Sequence, residues 1–325
     1  MDSIKIGILA TGWMAQKMAM TLQGMKGVEM YAVASRSFQK AKEFAEKWNF
    51  TRFFGSYEAM LEDDQIDLVY IATPHSEHYD NARLCLLKGK PVLCEKAFTA
   101  NARQAEELLN LAKEKNIFIA EAIWTRYMPL SKTINKVLAD GIIGEPKMLS
   151  ANLGYPIAHK ERVRQPALAG GALLDIGIYP LNFASMVFGT DIKEIASSCI
   201  KLDTGVDAQH TISLIFNDGK MATLYSTILA KTDRQGIISG EKGYLIVDNI
   251  NNPQRITVIT GNYEVVAKYD SMPQITGYEH QVYAAMEALK NGWIESPDMP
   301  HAETLRIMRL MDDLRKDWGV HYPFD

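Results

Sequence analysis

In the first 122 residues, short apolar runs alternate with segments whose apolar residues recur every three or four positions. The strand-like runs are Ile4–Leu9, Met30–Ser35, Asp67–Thr73, Pro91–Cys94 and Ile117–Ala120. Short buried strands separated by amphipathic helices are typical of βαβ units, whose parallel strands are covered on both faces. Ser37 and Asn101 stand where the N-caps of two such helices are expected. The pattern therefore predicts a parallel sheet between two layers of helices.

From about residue 145 the strand-like runs follow one another without intervening helices. They are Lys147–Leu153, Ile192–Leu202, Thr211–Phe216, Met221–Thr227, Gly243–Val247, Ile256–Thr260 and Val265–Tyr269. Asn217-Asp218-Gly219 and Gly261-Asn262 are residues that favour hairpin turns. We expect an open, mostly antiparallel sheet of about six strands with helices on one face. Helical spacing returns over Glu279–Asn291 and Ala302–Trp318.

A chain of 325 residues is long enough for two domains. The predicted fold class is α/β plus α+β, with a parallel-sheet domain over residues 1–122 and an antiparallel-sheet domain over 123–300. Residues 301–325 are expected to form a C-terminal helix that packs back near the first domain.

Charge and cysteine content exclude several classes of function. The formal net charge is −4, from 35 Lys and Arg against 39 Asp and Glu, and there is no long basic run. Binding to nucleic acid or to an anionic membrane is therefore not expected. No apolar stretch was found that approaches the roughly 18 residues of a membrane span. Three cysteines without a CxxC motif favour a reducing, cytoplasmic location and argue against a structural metal site.

The first strand is followed by Ala10-Thr11-Gly12-Trp13-Met14-Ala15, which opens a helix. The hexapeptide is similar to the GxGxxA turn that binds a dinucleotide, with Ala in place of the first Gly. Gly12 would let a pyrophosphate approach the backbone, and Thr11 to Met14 would present backbone N–H groups at the helix N-terminus. Ala10 is expected to tolerate the turn with a negative φ. A plain strand-to-helix turn remains the alternative.

The end of the second strand indicates which cofactor is preferred. NAD-binding domains of this type have Asp or Glu there, about 20 residues after the turn. This chain has Ser35 and Arg36, with Lys40 one helical turn later. A guanidinium can bind a 2′-phosphate that a carboxylate would repel. The residues favour NADP over NAD, with a solvated surface arginine as the alternative.

Two further strand ends carry polar residues at the carboxyl edge of the sheet, where open α/β sheets bind ligands. The strand Asp67–Thr73 is followed by Pro74, His75 and His78, with Thr73 as its last residue, and the strand Pro91–Cys94 is followed by Glu95 and Lys96. The ammonium of Lys96 could hydrogen-bond a nicotinamide ribose and place positive charge beside a reacting alcohol oxygen. An ordinary Glu95–Lys96 surface pair is the alternative.

These motifs, followed by the segment from Gly170 to Tyr179 (GGALLDIGIY), occur in the order and at the spacing of one enzyme family. Together they resemble the Gfo/Idh/MocA oxidoreductases over essentially the whole chain. The segment from Glu121 to Tyr127 (EAIWTRY) is similar to the branch of dimeric dihydrodiol dehydrogenase and NADP-dependent xylose dehydrogenases. The resemblance implies an N-terminal Rossmann domain, an open antiparallel sheet behind the active site and a homodimer formed through that sheet.

The resemblance also assigns the catalytic residues. The catalytic lysine falls on Lys96, and the DxxxH acid/base motif falls on Asp175 and Tyr179, with Tyr replacing His as in the dihydrodiol dehydrogenase branch. Asn182 stands where inositol dehydrogenases have Asp. Ala97 replaces the Pro of the usual EKP, which leaves the isomer of the Lys96–Ala97 peptide open. Pro180 predicts a helix that starts near Tyr179 or Pro180.

The implied function is hydride transfer between NADP(H) and a CH–OH group of a small sugar or diol. Tyr179 is expected to be the acid/base, Lys96 its electrostatic partner, and Asp175 a group that orients Lys96 or a substrate hydroxyl. Trp124, Tyr127, Tyr155 and Tyr179 are expected around the substrate, with Trp124 and Arg126 near the cofactor as well; Arg162 could cover the site. The alternatives are an NAD-dependent polyol or aminosugar dehydrogenase and a non-catalytic NAD(P)-binding regulator.

Overall fold

The computed structural model describes residues 3–325. Its strands are β1 Ile4–Leu9, β2 Val28–Ala34, β3 Arg52–Phe54, β4 Leu68–Ile71, β5 Val92–Glu95, β6 Ile119–Ala122, β7 Pro146–Gly154, β8 Ile192–Lys201, β9 Asp207–Phe216, β10 Met221–Thr227, β11 Gly236–Gly240, β12 Gly243–Val247, β13 Arg255–Thr260 and β14 Val265–Asp270. Its α-helices are α1 Trp13–Gly24, α2 Phe38–Trp48, α3 Tyr57–Leu61, α4 His75–Leu87, α5 Ala102–Lys115, α6 Pro129–Ala139, α7 Glu161–Arg164, α8 Ile178–Phe188, α9 Glu279–Asn291 and α10 His301–Trp318.

These elements form two units, neither of which is continuous in sequence. Unit 1 contains the described residues from Ser3 to Trp124 together with Gln274–Arg309. Unit 2 contains Thr125–Pro273 together with Leu310–Asp325.

Unit 1 is built on a six-stranded sheet of order β3-β2-β1-β4-β5-β6, in which every neighbouring pair is parallel. Every residue of β4, β5 and β6 is buried, as expected for strands covered on both faces. Ser37 and Asn101 cap α2 and α5, accepting hydrogen bonds from the backbone N–H groups of Lys40 and Gln104. The predicted parallel sheet and both N-caps are confirmed, whereas the three-residue strand β3 was not predicted.

Residues 274–300 belong to unit 1, whereas the sequence predicted them in the second domain. The Ile119 N–H donates to the Ile294 carbonyl at 3.0 Å, and His301 Nε2 lies 2.8 Å from the Ile119 carbonyl oxygen. Val282 and Ala285 of α9 lie in the buried core of unit 1. Since β6 is an edge strand, the returning chain supplies partners for backbone groups that would otherwise be unpaired.

Unit 2 is built on an eight-stranded sheet of order β14-β13-β12-β11-β7-β10-β9-β8. All pairs are antiparallel except β7 with β10. The mostly antiparallel sheet is confirmed, but it has more strands than predicted. Strand β11 begins and ends with glycine, which weakens the sequence signal of a strand.

Helix α8 packs against β7 and β10 on one face of this sheet. On β10 the residues Ala222, Leu224 and Ser226 are buried, while Met221, Thr223 and Tyr225 are exposed. We call the other side the open face and define it by Met148, Ile200, Met221, Thr223 and Tyr225, all of them exposed.

The stretch Pro166–Phe188 has 23 residues and is apolar enough to cross a membrane. This stretch was not expected from the sequence, in which no apolar run was found to approach the roughly 18 residues of a membrane span. In the structure 83% of its most apolar window is buried inside the fold, which is the environment of a core helix.

Candidate active site

The strand order of unit 1 places the loops after β1 and β4 side by side. The connection from β1 leads to β2 on one side, and the chain then returns to β4 on the other. Open α/β sheets bind dinucleotides outside the carboxyl ends of the strands at such a reversal of strand order. The loops predicted to bind the cofactor therefore share one edge of the sheet.

The turn after β1 differs from the sequence prediction at its first residue. Ala10 has φ +87°, whereas a negative φ was expected. Its N–H donates to the Ala34 carbonyl at 2.9 Å, so the turn is tied to β2. A side chain in this region of φ costs about 1–2 kcal/mol, which is why glycine is usual at this place.

Gly12 is the N-cap of α1 and is exposed, and no other group lies within 4 Å of the position that a Cβ would occupy. Helix α1 has no side-chain cap and no acidic residue in its first turn, so its N–H groups can receive an anion. Thr11 and Met14 are half-buried, and Trp13 is 66% exposed. Since packing among the described residues does not require glycine at position 12, open space and free helix N–H groups together fit a pyrophosphate.

The residues after β2 separate into one buried side chain and two exposed ones. Ser35 is buried, and its Oγ accepts a hydrogen bond from the Ser37 N–H at 3.3 Å. Arg36 and Lys40 are exposed. Burial raises the pKa of Tyr57, and the positive charge of Arg36 opposes that rise. The charge of Arg36 thus acts on Tyr57, an interaction that the sequence did not indicate.

Among the residues after β4, His78 is placed differently from the prediction. Its ring is fully buried, with Nδ1 2.8 Å from the Ala97 carbonyl oxygen and Nε2 2.9 Å from the Thr73 carbonyl oxygen. Burial lowers the pKa of His78, and these two contacts oppose the change. His78 ties the loops after β4 and β5 together and does not present its ring to a cofactor.

The other predicted residues of this segment lie at the start of α4. Thr73 is buried, and its Oγ1 accepts a hydrogen bond from Asn81 Nδ2 at 3.2 Å. Pro74 is the exposed N-cap residue of α4, and the half-buried His75 is its first residue.

The residue before Lys96, Glu95, is a buried carboxylate that has a hydrogen-bond donor within the protein. Glu95 is 5% exposed and accepts a hydrogen bond from the Tyr70 hydroxyl. Burial and the charge of Glu95 raise the pKa of Tyr70 well above its usual value, so Tyr70 remains a donor. Lys96 itself is half-buried, and the Lys96–Ala97 peptide bond is cis.

Trp124 lies at the end of unit 1 and is 7% exposed. Its ring stacks on Tyr278 with centroids 4.1 Å apart and planes 11° apart. One face of the indole is therefore covered by a residue from the returning segment, and that face is not available to a substrate. This contact could not be predicted from the sequence, because about 150 residues separate the two rings.

In unit 2, Asp175 lies inside a helical segment, not before one. Leu173–Gly177 forms a π-helical turn that continues directly into α8 at Ile178. Pro180 has no N–H to offer the Ile176 carbonyl, which accounts for a widened turn at this point. The helix therefore begins earlier than predicted and carries both Asp175 and Tyr179.

The Asp175 carboxylate is paired with Arg162, which was expected from the sequence only as a residue that could cover the site. Arg162 Nη1 lies 2.7 Å from Asp175 Oδ1, with the arginine side chain 45% exposed and the aspartate side chain 5% exposed. Gly170 and Gly171 allow the chain before Asp175 to pack closely against the segment that contains Arg162 and against Asp207. A Cβ on Gly170 would lie 2.8 Å from the Val163 carbonyl carbon, and one on Gly171 would lie 2.1 Å from Asp207 Oδ1.

Tyr179 stands in the first turn of α8 and is 6% exposed. Three residues on, Asn182 accepts from Arg126 Nε at 2.5 Å and donates from Nδ2 to the Ile178 carbonyl at 2.8 Å. Arg126 Nη2 also donates to Ser185 Oγ at 3.2 Å. Arg126 was predicted near the cofactor, but two of its nitrogens donate hydrogen bonds to side chains of α8. The amide of Asn182 both accepts and donates a hydrogen bond here.

Tyr155 follows β7 and is half-buried. Its hydroxyl oxygen lies 3.4 Å from Arg234 Nη1 and 3.4 Å from Asn251 Nδ2. Neither neighbour was predicted from the sequence, since both lie in polar segments between strands. Within residues 3–325, no three His, Cys, Asp or Glu side chains are arranged to hold a metal ion.

Comparison with known proteins agrees with this geometry. Residues 4–122 match the model of an oxidoreductase family with an NAD-binding Rossmann fold, and residues 131–246 match the GFO/IDH/MocA C-terminal domain. Trans-1,2-dihydrobenzene-1,2-diol dehydrogenases from mouse and human are 32% and 33% identical, and each alignment covers 99% of both chains.

Among solved structures, KijD10 is similar over 97% of both chains, with a TM-score of 0.87 and 25% identity. It is a 3-ketoreductase from Actinomadura kijaniata, solved with NADP and TDP-benzene. The aldose-aldose oxidoreductase of Caulobacter crescentus shares the fold, with a TM-score of 0.87 and 21% identity over 98% of both chains. The chain matches both domains of the Gfo/Idh/MocA oxidoreductases and is similar to these relatives over nearly its full length, and it belongs to that family.

Proposed function

We propose that this oxidoreductase is an NADP-dependent dehydrogenase acting on a CH–OH group of a small sugar or diol. The observation that carries the proposal is the helical segment from Leu173 to Phe188. It carries the phenol of Tyr179 four residues after the buried carboxylate of Asp175, which is paired with Arg162. The activities of the dihydrodiol dehydrogenases and of KijD10 support the same class of reaction.

Bound NADP⁺ would accept a hydride from the carbinol carbon, and NADPH would return it. During oxidation the Tyr179 phenolate oxygen would take up the proton that leaves the alcohol oxygen and become a hydroxyl, and during reduction that hydroxyl would give the proton back. An ordinary phenol has a pKa of about 10, so a nearby cation is needed to stabilise the phenolate. Lys96 is proposed as that cation. Asp175, held by Arg162, orients Lys96 or a substrate hydroxyl.

The cofactor preference and the assembly are part of the proposal. Arg36 and Lys40 are exposed beside the end of β2, which supports binding of a 2′-phosphate. The exposed apolar side chains of the open face support a homodimer formed through this sheet. The three free cysteines support a reducing, cytoplasmic location.

The catalytic assignment is tested with Lys96→Met and Tyr179→Phe. We expect each to lower kcat by about 10²–10⁴-fold while NADPH binding stays nearly unchanged, because both groups act on the transferred proton. Turnover is measured with NADP⁺ across aldoses, 1,2-diols and dihydrodiols, and NADPH binding by fluorescence titration. Lys88→Met, at an exposed position after α4, serves as the control and should leave turnover intact.

Two outcomes would contradict the proposal. Undiminished turnover in Lys96→Met would remove Lys96 from the mechanism. A parent protein that binds NADPH but oxidises none of these substrates would instead indicate a cofactor-binding regulator.

A further inference from the structure

Tyr155 lies within a group of polar side chains that the proposed mechanism does not use. The residue before it, Gly154, allows the segment 227–232 to run directly against it. A Cβ on Gly154 would lie 2.5 Å from Thr232 Cγ2 and 2.9 Å from the Ala230 carbonyl oxygen. The chain is therefore shaped here to bring the segment containing Arg234 to Tyr155.

Three hydrogen-bond donors converge at this place. The Tyr155 oxygen receives Arg234 Nη1 and Asn251 Nδ2, both at 3.4 Å, which leaves the phenolic hydrogen free to donate elsewhere. Both contacts are long for hydrogen bonds and therefore weak. Arg234 Nε and Asn251 Oδ1 are buried without a hydrogen-bond partner in residues 3–325. The group has more hydrogen-bonding capacity than the protein itself uses.

The backbone holds Arg234 in an unfavourable conformation. Its φ is +64°, which costs a residue with a long side chain about 1–2 kcal/mol. Its N–H donates to Asn152 Oδ1 at 3.1 Å, and its carbonyl accepts from the Ile250 N–H at 2.8 Å. These bonds fix the guanidinium over the Tyr155 ring, 5.8 Å from its centroid. Conformational strain of this kind is found preferentially at ligand sites.

Arg234 also lacks an acidic partner. No carboxylate forms a salt bridge with it in the described part of the chain, and the adjacent Asp233 Oδ1 accepts hydrogen bonds from Asn152 Nδ2 and the Gln235 N–H instead. An arginine that is half-buried and not ion-paired is unusual.

The surrounding chain is basic, although the protein is acidic overall. Residues 155–165 and 229–235 are neighbours, since the Ile157 N–H donates to the Ile228 carbonyl at 2.9 Å. They carry five basic residues and two acidic ones, namely Lys160, Arg162, Arg164, Lys231 and Arg234 against Glu161 and Asp233. Arg162 and Arg164 are paired with Asp175 and Asp203, so the positive charge that can attract an anion here comes from Lys160, Lys231 and Arg234.

We propose that Tyr155, Arg234 and Asn251 form a subsite for an anionic group of the substrate, a carboxylate or a phosphate. The inference rests on the proposed function and narrows its substrate class to acidic sugars or sugar phosphates. The guanidinium and the phenolic hydrogen donate to the anion, and Asn251 Oδ1 accepts from a neighbouring hydroxyl. The same chain segment continues to Arg162, which holds Asp175.

The test compares kcat/KM for glucose with kcat/KM for glucuronate and for glucose 6-phosphate. We expect an acidic member to be preferred by at least about tenfold, equivalent to about 1.4 kcal/mol. Arg234→Gln should abolish that preference while changing the value for glucose little. Arg234→Lys should retain part of it, because the charge remains but the planar fork is lost. The control is Arg164→Gln, since Arg164 pairs with Asp203 at the surface. Comparing the two acids identifies which anion is recognised.

A binding measurement separates this inference from the proposed function. Glucuronate and inorganic phosphate are titrated calorimetrically into the parent protein and into Arg234→Gln. If no sugar is oxidised but binding of an anion depends on Arg234, the subsite stands and the dehydrogenase proposal fails. If glucose is preferred, or if Arg234→Gln lowers kcat/KM equally for glucose and the acids, the subsite is refuted.

Discussion

Among single residues, Arg36 is the one on which the proposed preference for NADP depends. It lies exposed after β2, while the preceding Ser35 is buried. The two positions have different roles. The buried serine accepts a hydrogen bond from the Ser37 N–H and so stabilises the turn, and the exposed arginine is free to contact a ligand.

Arg36→Asp should reverse the cofactor preference. We expect NADPH affinity to fall by about 10- to 100-fold, because a bidentate ion pair is replaced by repulsion of the 2′-phosphate. NADH affinity should change little or improve. Both are measured by fluorescence titration at one fixed salt concentration. Lys42→Asp, an exposed change on the same α2 helix, is the charge-matched control. Tighter binding of NADH than NADPH by the parent would show that Arg36 does not select the phosphate.

The sequence predicted strand-end residues well and their individual contacts less well. The positions of Gly12, Arg36 and Lys96 follow from local strand-to-helix connections, which the sequence pattern reveals. The burial of His78 between two carbonyl groups and the use of Arg126 on α8 depend on where distant loops lie. No spacing rule reports such contacts. Ala10 is similar, since its positive φ comes from the turn and not from its own preference.

Among the elements, α9 has a first residue, Glu279, whose side chain stabilises the loop that leads into the helix. The Glu279 carboxylate accepts from three backbone N–H groups, those of Ile275 at 2.8 Å, Thr276 at 3.1 Å and Gly277 at 2.7 Å. Burial alone would raise the pKa of Glu279, but these hydrogen bonds lower it below its usual value. The carboxylate thus orders the loop that delivers Tyr278 to Trp124.

This arrangement predicts a pH-dependent loss of stability in Glu279→Gln. Because the folded-state pKa is below the unfolded value of about 4.3, the stabilisation is complete above that pH. It is lost as the pH falls through the folded-state pKa. At pH 7 we expect the variant to lose about 1–3 kcal/mol of unfolding free energy, since buried N–H groups lose an anionic acceptor.

Urea titrations of parent and variant between pH 7 and pH 3 measure this difference, which should shrink toward acid. Glu287→Gln, at an exposed position on the same helix, should show no such trend. A difference that stays constant with pH would assign the effect to packing alone.

The elements themselves were the most predictable level of the structure. Periodicity located α9 and most of the strands, because burial on one or two faces leaves a direct mark on the sequence. The π-helical turn before α8 was not predicted, since Pro180 suggested only a helix start. Strands β3 and β11 were missed because one is very short and the other is bounded by glycines.

For the whole molecule, the open face of the unit 2 sheet is the basis for expecting a dimer. Its exposed residues include Met148 and Met221, which are register partners on adjacent strands, and Tyr225, which lies further along the strand of Met221. Apolar groups clustered in this way are usually covered by a partner. In a twofold dimer each substitution on this face occurs twice at the same interface.

Tyr225→Arg should therefore convert a dimer into monomers, because two buried positive charges would have no partner. Sedimentation velocity over a range of protein concentrations measures the change. Tyr263→Arg introduces the same charge at a residue that is 82% exposed in the turn between β13 and β14, and it should leave the dimer intact. A parent protein that sediments as a monomer throughout would refute the assembly.

The interleaving of the two units has a consequence for how the protein is made. Unit 1 needs Gln274–Arg309 to cover the edge of β6, and those residues are translated only after most of unit 2. At about 5–20 residues per second, a ribosome takes roughly 10–30 s to cross the intervening segment. During that time the nascent N-terminal sheet has one uncovered edge strand, which makes this polypeptide a natural client for chaperones that act during synthesis.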